Sequence, residues 1–192
     1  PSNPLPSFFQ HAPMPAGDRK LTMDELGRIA PEAYADQTRR PVVVVLDDVR
    51  SRHNVGSIFR TADSFGIERL VLCGFTPQPP HREIEKTALG ATLSVPWSTA
   101  EDTVTAIRDL QQQGYTVVAV EQTLSALPLI TWNPAPDARI ALVLGNELHG
   151  VSDSAVEACD LSVVIPQGGS KHSLNVSVCA GVVLWWLAGR FV

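Results

Sequence analysis

No two of the three cysteines, Cys73, Cys159 and Cys179, form a C-x-x-C pair, which excludes a dithiol redox centre and a paired-cysteine zinc site. Each sits in apolar sequence, so buried reduced thiols are expected, as in a cytosolic protein. No apolar run reaches the roughly 20 residues needed to cross a bilayer. The N-terminus lacks the basic-then-apolar order of a secretion signal, so no membrane association and a cytoplasmic location are expected. Positive charge is in deficit as well: Lys and Arg number 15 against 20 Asp and Glu, a formal charge of −5. That balance argues against coating nucleic acid over the whole surface, while leaving room for a local basic patch. The first strand-to-helix turn, "LDDVRSRHNVG", lacks the G-x-G-x-x-G of a dinucleotide site. There is no G-x-x-x-x-G-K-[ST] and no H-E-x-x-H, so a P-loop and a zinc peptidase are excluded, and no metal is expected.

What is present reads as one domain with a short N-terminal extension. At 192 residues with 44% apolar content, the chain is long enough to bury a sizeable core. Residues 1–17 are proline-rich and expected to be disordered. Residues 18–40 read as a helical appendage, with Thr22 and Glu25 at capping-box spacing and Pro31 opening a second helix. From residue 41 to 192 strands and helices alternate. "VVVVL" (42–46) is a continuous β-branched run, the mark of a strand covered on both faces. Further strands are expected at "ERLVLCG", "YTVVAV", "IALVLG" and "LSVVIP". Helices are expected from a cap at Asn54 to about Phe65, in "REIEKTALG", over "AEDTVTAIRDLQQQG" to Gly114, in "SDSAVEAC", and over 173–188 with Ser173 as the ordinary cap. This is an α/β chain with a mostly parallel sheet and helices on both faces.

Ligands of such sheets sit past the carboxyl ends of the strands. Three loops leave those ends carrying unusual residues: "DDVRSRHNVGSIFR", "GNELHGVS" and "PQGGSKHSLN". Gly145, Gly150, Gly168 and Gly169 expose backbone in two loops, expected on neighbouring strands, with the carboxylate of Glu147 nearby. Uncharged main-chain groups suit a neutral or cationic nucleoside better than a pyrophosphate. In the first loop, Arg50, Arg52, His53 and Arg60 gather within one strand–loop–helix unit, and Arg39 and Arg40 precede the strand. Planar, always-charged guanidinium groups are what phosphate recognition calls for, so these residues are candidate RNA contacts. Val55, Phe59 and Ala62 form the apolar stripe of the helix, and Gly56, Ser57, Asp63 and Ser64 flank Arg60 with small or polar groups. A surface position is expected for the loop histidines His53 and His172.

The three loops resemble the signature motifs of the SpoU (TrmH-like) RNA ribose methyltransferases of the SPOUT superfamily. "NVGSIFRTADSFG" is similar to the first motif, with its Asn and Arg six residues apart. "VLGNELHGVS" is similar to the second, a Gly-x-Glu-x-x-Gly pattern, and "IPQGGSKHSLNVSVCAGVVLW" to the third. "KTALGATLSVPW" looks like the family's intermediate segment, and the likeness covers about residues 41–188. The resemblance implies a C-terminal trefoil knot, S-adenosylmethionine as cofactor, and a homodimer with composite active sites. It implies methyl transfer to a ribose 2′-hydroxyl of tRNA or rRNA. Arg60, Asn54, Glu147, Ser173 and Asn175 would then be the catalytic set. Glu121, Leu144, Gly145, Asn146, Gly150, Ile165, Gln167 and Leu174 would hold the cofactor. Other readings stay open on the residues: an inactive RNA-binding or ribosome-assembly protein of the same fold, a methyltransferase acting on a base, or a nucleotide enzyme of ordinary doubly wound fold. The missing glycine fingerprint counts against the last.

Overall fold

The computed structural model describes residues 17, 19–22, 24–27, 39–171 and 173–190. The chain divides into two units, Pro1–Ala30 and Pro31–Val192. In the first, Thr22 and Glu25 make the reciprocal bonds of a capping box. Thr22 N–H donates to Glu25 Oε2 at 2.8 Å, and Glu25 N–H donates to Thr22 Oγ1 at 3.4 Å. Residues 24–27 form a turn, with Gly27 at φ 57°, and most of the helical appendage expected over 18–40 lies outside the described residues. The segment 1–16, the helix expected at Pro31, and His172 lie outside the described residues.

The second unit runs β1 (Arg40–Asp47), α1 (Arg52–Ser64), β2 (Ile67–Cys73), α2 (Arg82–Ala88), α3 (Ala91–Ser94), β3 (Trp97–Ala100) and α4 (Thr103–Gln112). It continues with β4 (Thr116–Val120), β5 (Leu127–Pro128), a 3₁₀ turn (Leu129–Thr131), β6 (Ile140–Leu144), α5 (Asp153–Ala158), β7 (Leu161–Val164) and α6 (Val176–Ala188). Every described strand pair is parallel, in the order β3-β2-β1-β6-β4-β7-β5. β1 is an interior strand, and its alternation explains its composition. Val42, Val44 and Leu46 face a core built with α1, α2, α3 and α6. Val43 and Val45 face a second core built with α4 and α5. A strand apolar on both faces is therefore buried on both, as the run "VVVVL" requires. Trp132 and Trp186 stack at 5.4 Å and 7° between planes, fastening the 3₁₀ turn to α6.

Several local expectations are corrected. Asn54 is not the cap of α1. Ser51 is, its hydroxyl accepting from Asn54 N–H at 3.3 Å. Ser173 is not the cap of α6 either; Asn175 takes that place, its Oδ1 accepting from Ser177 N–H at 2.9 Å. The loops carrying Gly145–Gly150 and Gly168–Gly169 leave β6 and β7, which are not neighbours. β4 lies between them and pairs with both. β3 and β5 were not expected: each is short and poorly buried, with its ladder supplied by a neighbouring strand. All three cysteines are free, and burial pushes the thiols of Cys73 and Cys159 up to about 12 and that of Cys179 to about 11.

Gly56 is buried in α1 and faces α2, not the polar face around Arg60. A Cβ there would stand 2.1 Å from Thr87 Oγ1 and 2.2 Å from Ile84 O, so the two helices approach only because the side chain is missing. Gly56→Ala should therefore lower the melting temperature, although alanine favours an isolated helix by about 1 kcal/mol. Thermal unfolding reads the sign directly, and a raised midpoint contradicts this packing.

Candidate active site

The site lies at the carboxyl ends of β1, β6, β4 and β7, and its frame is the turn after β6. Asn146 and Gly150 exchange backbone hydrogen bonds at 2.9 Å each, and Asn146 Oδ1 accepts from Leu148 N–H at 2.9 Å. The glycines at its ends are sterically required. A Cβ on Gly145 would fall 2.0 Å from the Gly150 carbonyl carbon. Gly150 sits at φ 71°, and a Cβ there would fall 2.1 Å from Glu121 Oε2. The G-x-E-x-x-G spacing thus reflects a turn folded tightly on itself, with a carboxylate from the end of β4 against its back.

Glu147, at the top of this turn, reaches across to the start of α1. Its Oε2 accepts from Arg50 N–H at 2.9 Å, and its Oε1 accepts from Ser51 N–H at 2.9 Å and from Asn54 Nδ2 at 2.8 Å. Burial works against the charged form. The bonds from Arg50, Asn54 and Ser51 outweigh it and hold the carboxyl below its ordinary range. Because the carboxylate accepts only, the Asn54 amide must turn its nitrogen toward Glu147 and its oxygen away. That oxygen accepts from Asn175 Nδ2 at 3.2 Å, and Asn175 Oδ1 in turn accepts from the N–H and hydroxyl of Ser177, at 2.9 and 2.7 Å. One polar chain, Glu147–Asn54–Asn175–Ser177, therefore links the loops after β1, β6 and β7.

Beside this chain is a cleft of about 240 Å³. Glu121, Leu144, Gly145, Asn146, Gly150, Ile165, Gln167 and Leu174 all line it, as do Glu147 and Ser173. Sequence reasoning missed Gln122, Val176 and Cys179 in the same wall. Val176 and Cys179 stand one turn apart at the start of α6, and that spacing, directly after the loop, was the available signal. Gln122 had none, because it follows a strand whose place in the sheet only the fold reveals. Among the described residues no group of three or more His, Cys, Asp or Glu could hold a metal.

The remaining candidates divide. Arg60 is exposed on α1, beside Ser57, Thr61 and Ser64, and its guanidinium makes no hydrogen bond or ion pair among the described residues. Arg50, Arg52 and His53 are exposed at the entry to α1. Arg52 pairs with Glu83 at 3.8 Å, with both side chains about half exposed (48% and 49%), a geometry worth little. Arg39 and Arg40 do not join this surface. They stand at the opposite end of β1, half-buried, with guanidinium groups donating to the carbonyls of Ser94 and Phe65 at 2.7 Å each. They tie the start of the strand to α3 and to the end of α1.

Residues 41–185 match the SpoU rRNA Methylase family. The chain belongs to the SpoU rRNA methylase family. Among its curated relatives, a 23S rRNA (guanosine-2′-O-)-methyltransferase RlmB of Neisseria meningitidis is 33% identical over 144 residues, which cover 75% of this chain and 56% of that protein. This SpoU-family chain thus spans little more than half the length of that relative. Among solved structures, the A. aeolicus TrmH/SpoU tRNA modifying enzyme superposes with a TM-score of 0.72 and 27% identity, over 83% of this chain and 79% of its own. An AdoMet-bound rRNA methyltransferase of Sinorhizobium meliloti gives 0.73 and 26%, over 84% and 60%. The family expectation and the parallel α/β fold are both borne out.

The Glu147 carboxyl carries a pH signature. A carboxyl held below its ordinary range contributes stability above its unfolded pKa and loses that contribution as pH falls through the folded one. Glu147→Gln should therefore melt a few degrees below wild type at about pH 7, with the gap narrowing as pH falls below the ordinary carboxylate range. Thermal melts of both proteins across that range test it; a gap that does not change with pH removes the charge from the account.

Proposed function

We propose that this chain is an S-adenosylmethionine-dependent methyltransferase acting on a ribose 2′-hydroxyl of tRNA or rRNA. The observation that carries the reading is the convergence of Glu147, Ser173 and all eight expected cofactor residues on one cleft, with Asn54 and Asn175 hydrogen-bonded beside it. The cleft suits a cationic nucleoside. Its walls are backbone turns and apolar side chains from β6 and β7, glycines at 145 and 150 let the turn close on itself and on Glu121, and Glu121 supplies negative charge. When bound, S-adenosylmethionine supplies an activated methyl group. Leu144, Ile165 and Leu174 would enclose the adenosyl end, and the main chain of 145–150 and Gln167 would read its polar edges. Two similar proteins support the cofactor and the class of substrate: an AdoMet-bound rRNA methyltransferase, and a 23S rRNA (guanosine-2′-O-)-methyltransferase.

The rest falls to positioning and electrostatics. Ser173 and Asn175 orient the target nucleotide, and Glu147 keeps their loop in register with α1. Arg60 is the charged contributor. A guanidinium stays protonated at neutral pH, so Arg60 serves by gripping the phosphate next to the reacting ribose and stabilising negative charge that develops on its oxygen. Arg50, Arg52 and His53 extend that surface toward the RNA. An active protein is favoured over an inactive assembly factor because Asn54, Arg60, Glu147, Ser173 and Asn175 are all retained.

The active unit is a homodimer, with Arg60 acting across the interface from the partner subunit. Val178 and Trp185, one face of α6, are 51% and 67% exposed beside α1 and form the apolar surface such a dimer covers. The C-terminal chain is threaded as a trefoil knot. The outward step to β7 beyond β4, followed by the return of α6 onto the α1 side of the sheet, is consistent with that path. Its free thiols fit the cytoplasm.

Arg60→Ala should abolish methyl transfer to RNA while affinity for S-adenosylmethionine stays within about two-fold of wild type. Parallel methyl-transfer assays and calorimetry decide it. Equal loss of both activities makes Arg60 a structural residue.

A further inference from the structure

We propose that Asp47 is a positioning residue for the turn that forms the cleft: with Glu121 it makes a two-carboxylate latch that sets the turn's geometry, although Asp47 does not line the cleft. The proposal rests on the reading of that cleft as a nucleoside site.

Asp47 ends β1 and is only 4% exposed. Its Oδ1 accepts from the Thr103 hydroxyl and its Oδ2 from Ser152 N–H at 2.8 Å. Glu121, directly after β4, accepts from Val151 N–H through Oε2 at 3.0 Å and from Gln122 N–H through Oε1 at 2.7 Å. β1 and β4 are the two strands that flank β6, and β6 leads into the turn. Consecutive amides on the return side of the turn, those of Val151 and Ser152, are therefore held by carboxylates arriving from the strands on either side. The outgoing side is held too. Asp48 stands at φ 51°, and its carbonyl accepts from Asn146 Nδ2 at 2.7 Å.

Little slack separates the latch from the cleft wall. Gly150 precedes Val151 and leaves no room for a Cβ against Glu121, while its own backbone leaves none for a Cβ on Gly145. A shift of Ser152 carries Val151 and Gly150 with it, and both Gly150 and Asn146 line the cleft. Asp47 faces a different depression, shared with Asp48, Asp102 and Thr103. Its influence on a nucleoside therefore passes through the Ser152 amide. The Thr103 bond, by contrast, serves only to anchor the start of α4. The two bonds can be broken separately, so the roles are separable.

The test is calorimetric titration with S-adenosylmethionine, together with amide hydrogen exchange at Val151 and Ser152 in the ligand-free protein. It compares wild type, Asp47→Ala, Asp47→Asn and Thr103→Val. Asparagine can keep both contacts, its amide oxygen accepting from Ser152 N–H and its nitrogen donating to the Thr103 hydroxyl. Asp47→Ala should bind about ten-fold or more weakly and exchange Ser152 fast, because a charged acceptor is lost from a buried donor. Asp47→Asn and Thr103→Val should keep slow Ser152 exchange and bind within about three-fold of wild type, whatever stability Thr103→Val loses. Wild-type affinity in Asp47→Ala overturns the latch, as does equal weakening in Thr103→Val. If Asp47→Ala does not fold, two results on folded protein still decide: fast Ser152 exchange in wild type, or lost affinity in Asp47→Asn with Ser152 still slow, overturns it. No binding by wild type would instead overturn the nucleoside reading of the cleft.

Discussion

The site depends on one carboxylate meeting three N–H donors. Glu147 arrives on the turn after β6, and Arg50, Ser51 and Asn54 present their donors at the mouth of α1. An ionised carboxylate has no proton to give, so every bond beyond it is oriented in one direction. Asn54 must accept from Asn175, and Asn175 must accept from Ser177. The energy of each bond in this half-exposed setting is modest. The larger consequence is registration: three loops far apart in the chain are held in one arrangement, and the residues that line the cleft and the exposed start of α1 inherit it.

Around that anchor the cleft is built mostly from backbone. The turn at 145–150 closes on itself because neither end carries a side chain, and the strands beside β6 support it from both flanks through Asp47 and Glu121. Carboxylates here do mechanical work on main-chain amides. The positive groups, Arg50, Arg52 and Arg60, are exposed on or next to α1, where a polyanion can approach. That separation of an inner backbone cradle from an outer cationic rim fits a small cationic ligand meeting a large anionic one.

Elements whose burial is written in their own residues were legible in the sequence. "VVVVL" announced a strand covered on both faces, and the stripe of Val55, Phe59 and Ala62 announced α1. The three polar loops stood out because glycine, asparagine and arginine there serve no core. Features decided by neighbours were not legible. β3 and β5 owe their ladders to β2 and β7, and nothing in their composition marks them. The position of β4 between β6 and β7 brings Gln122 into the cleft, and no local pattern encodes that order. Arg39 and Arg40 read as a basic pair because charge is visible in sequence, whereas the carbonyls of Ser94 and Phe65 that they bind are not. Asn54 looked like a cap, but Ser51 took the helix end and left Asn54 free to bridge the loops. Nothing in the sequence around Asp47 points to Ser152, and only the fold brings the two together.

The central claim is that a nucleoside-gripping cleft and a cationic helix face together direct a methyl group onto ribose. The most direct measurement is mass spectrometry of nucleosides released from unmodified tRNA and rRNA after incubation with this protein and isotopically labelled S-adenosylmethionine. The account predicts label in 2′-O-methylated nucleosides. Label confined to base-methylated nucleosides, or no label from RNA that the protein demonstrably binds, would contradict it.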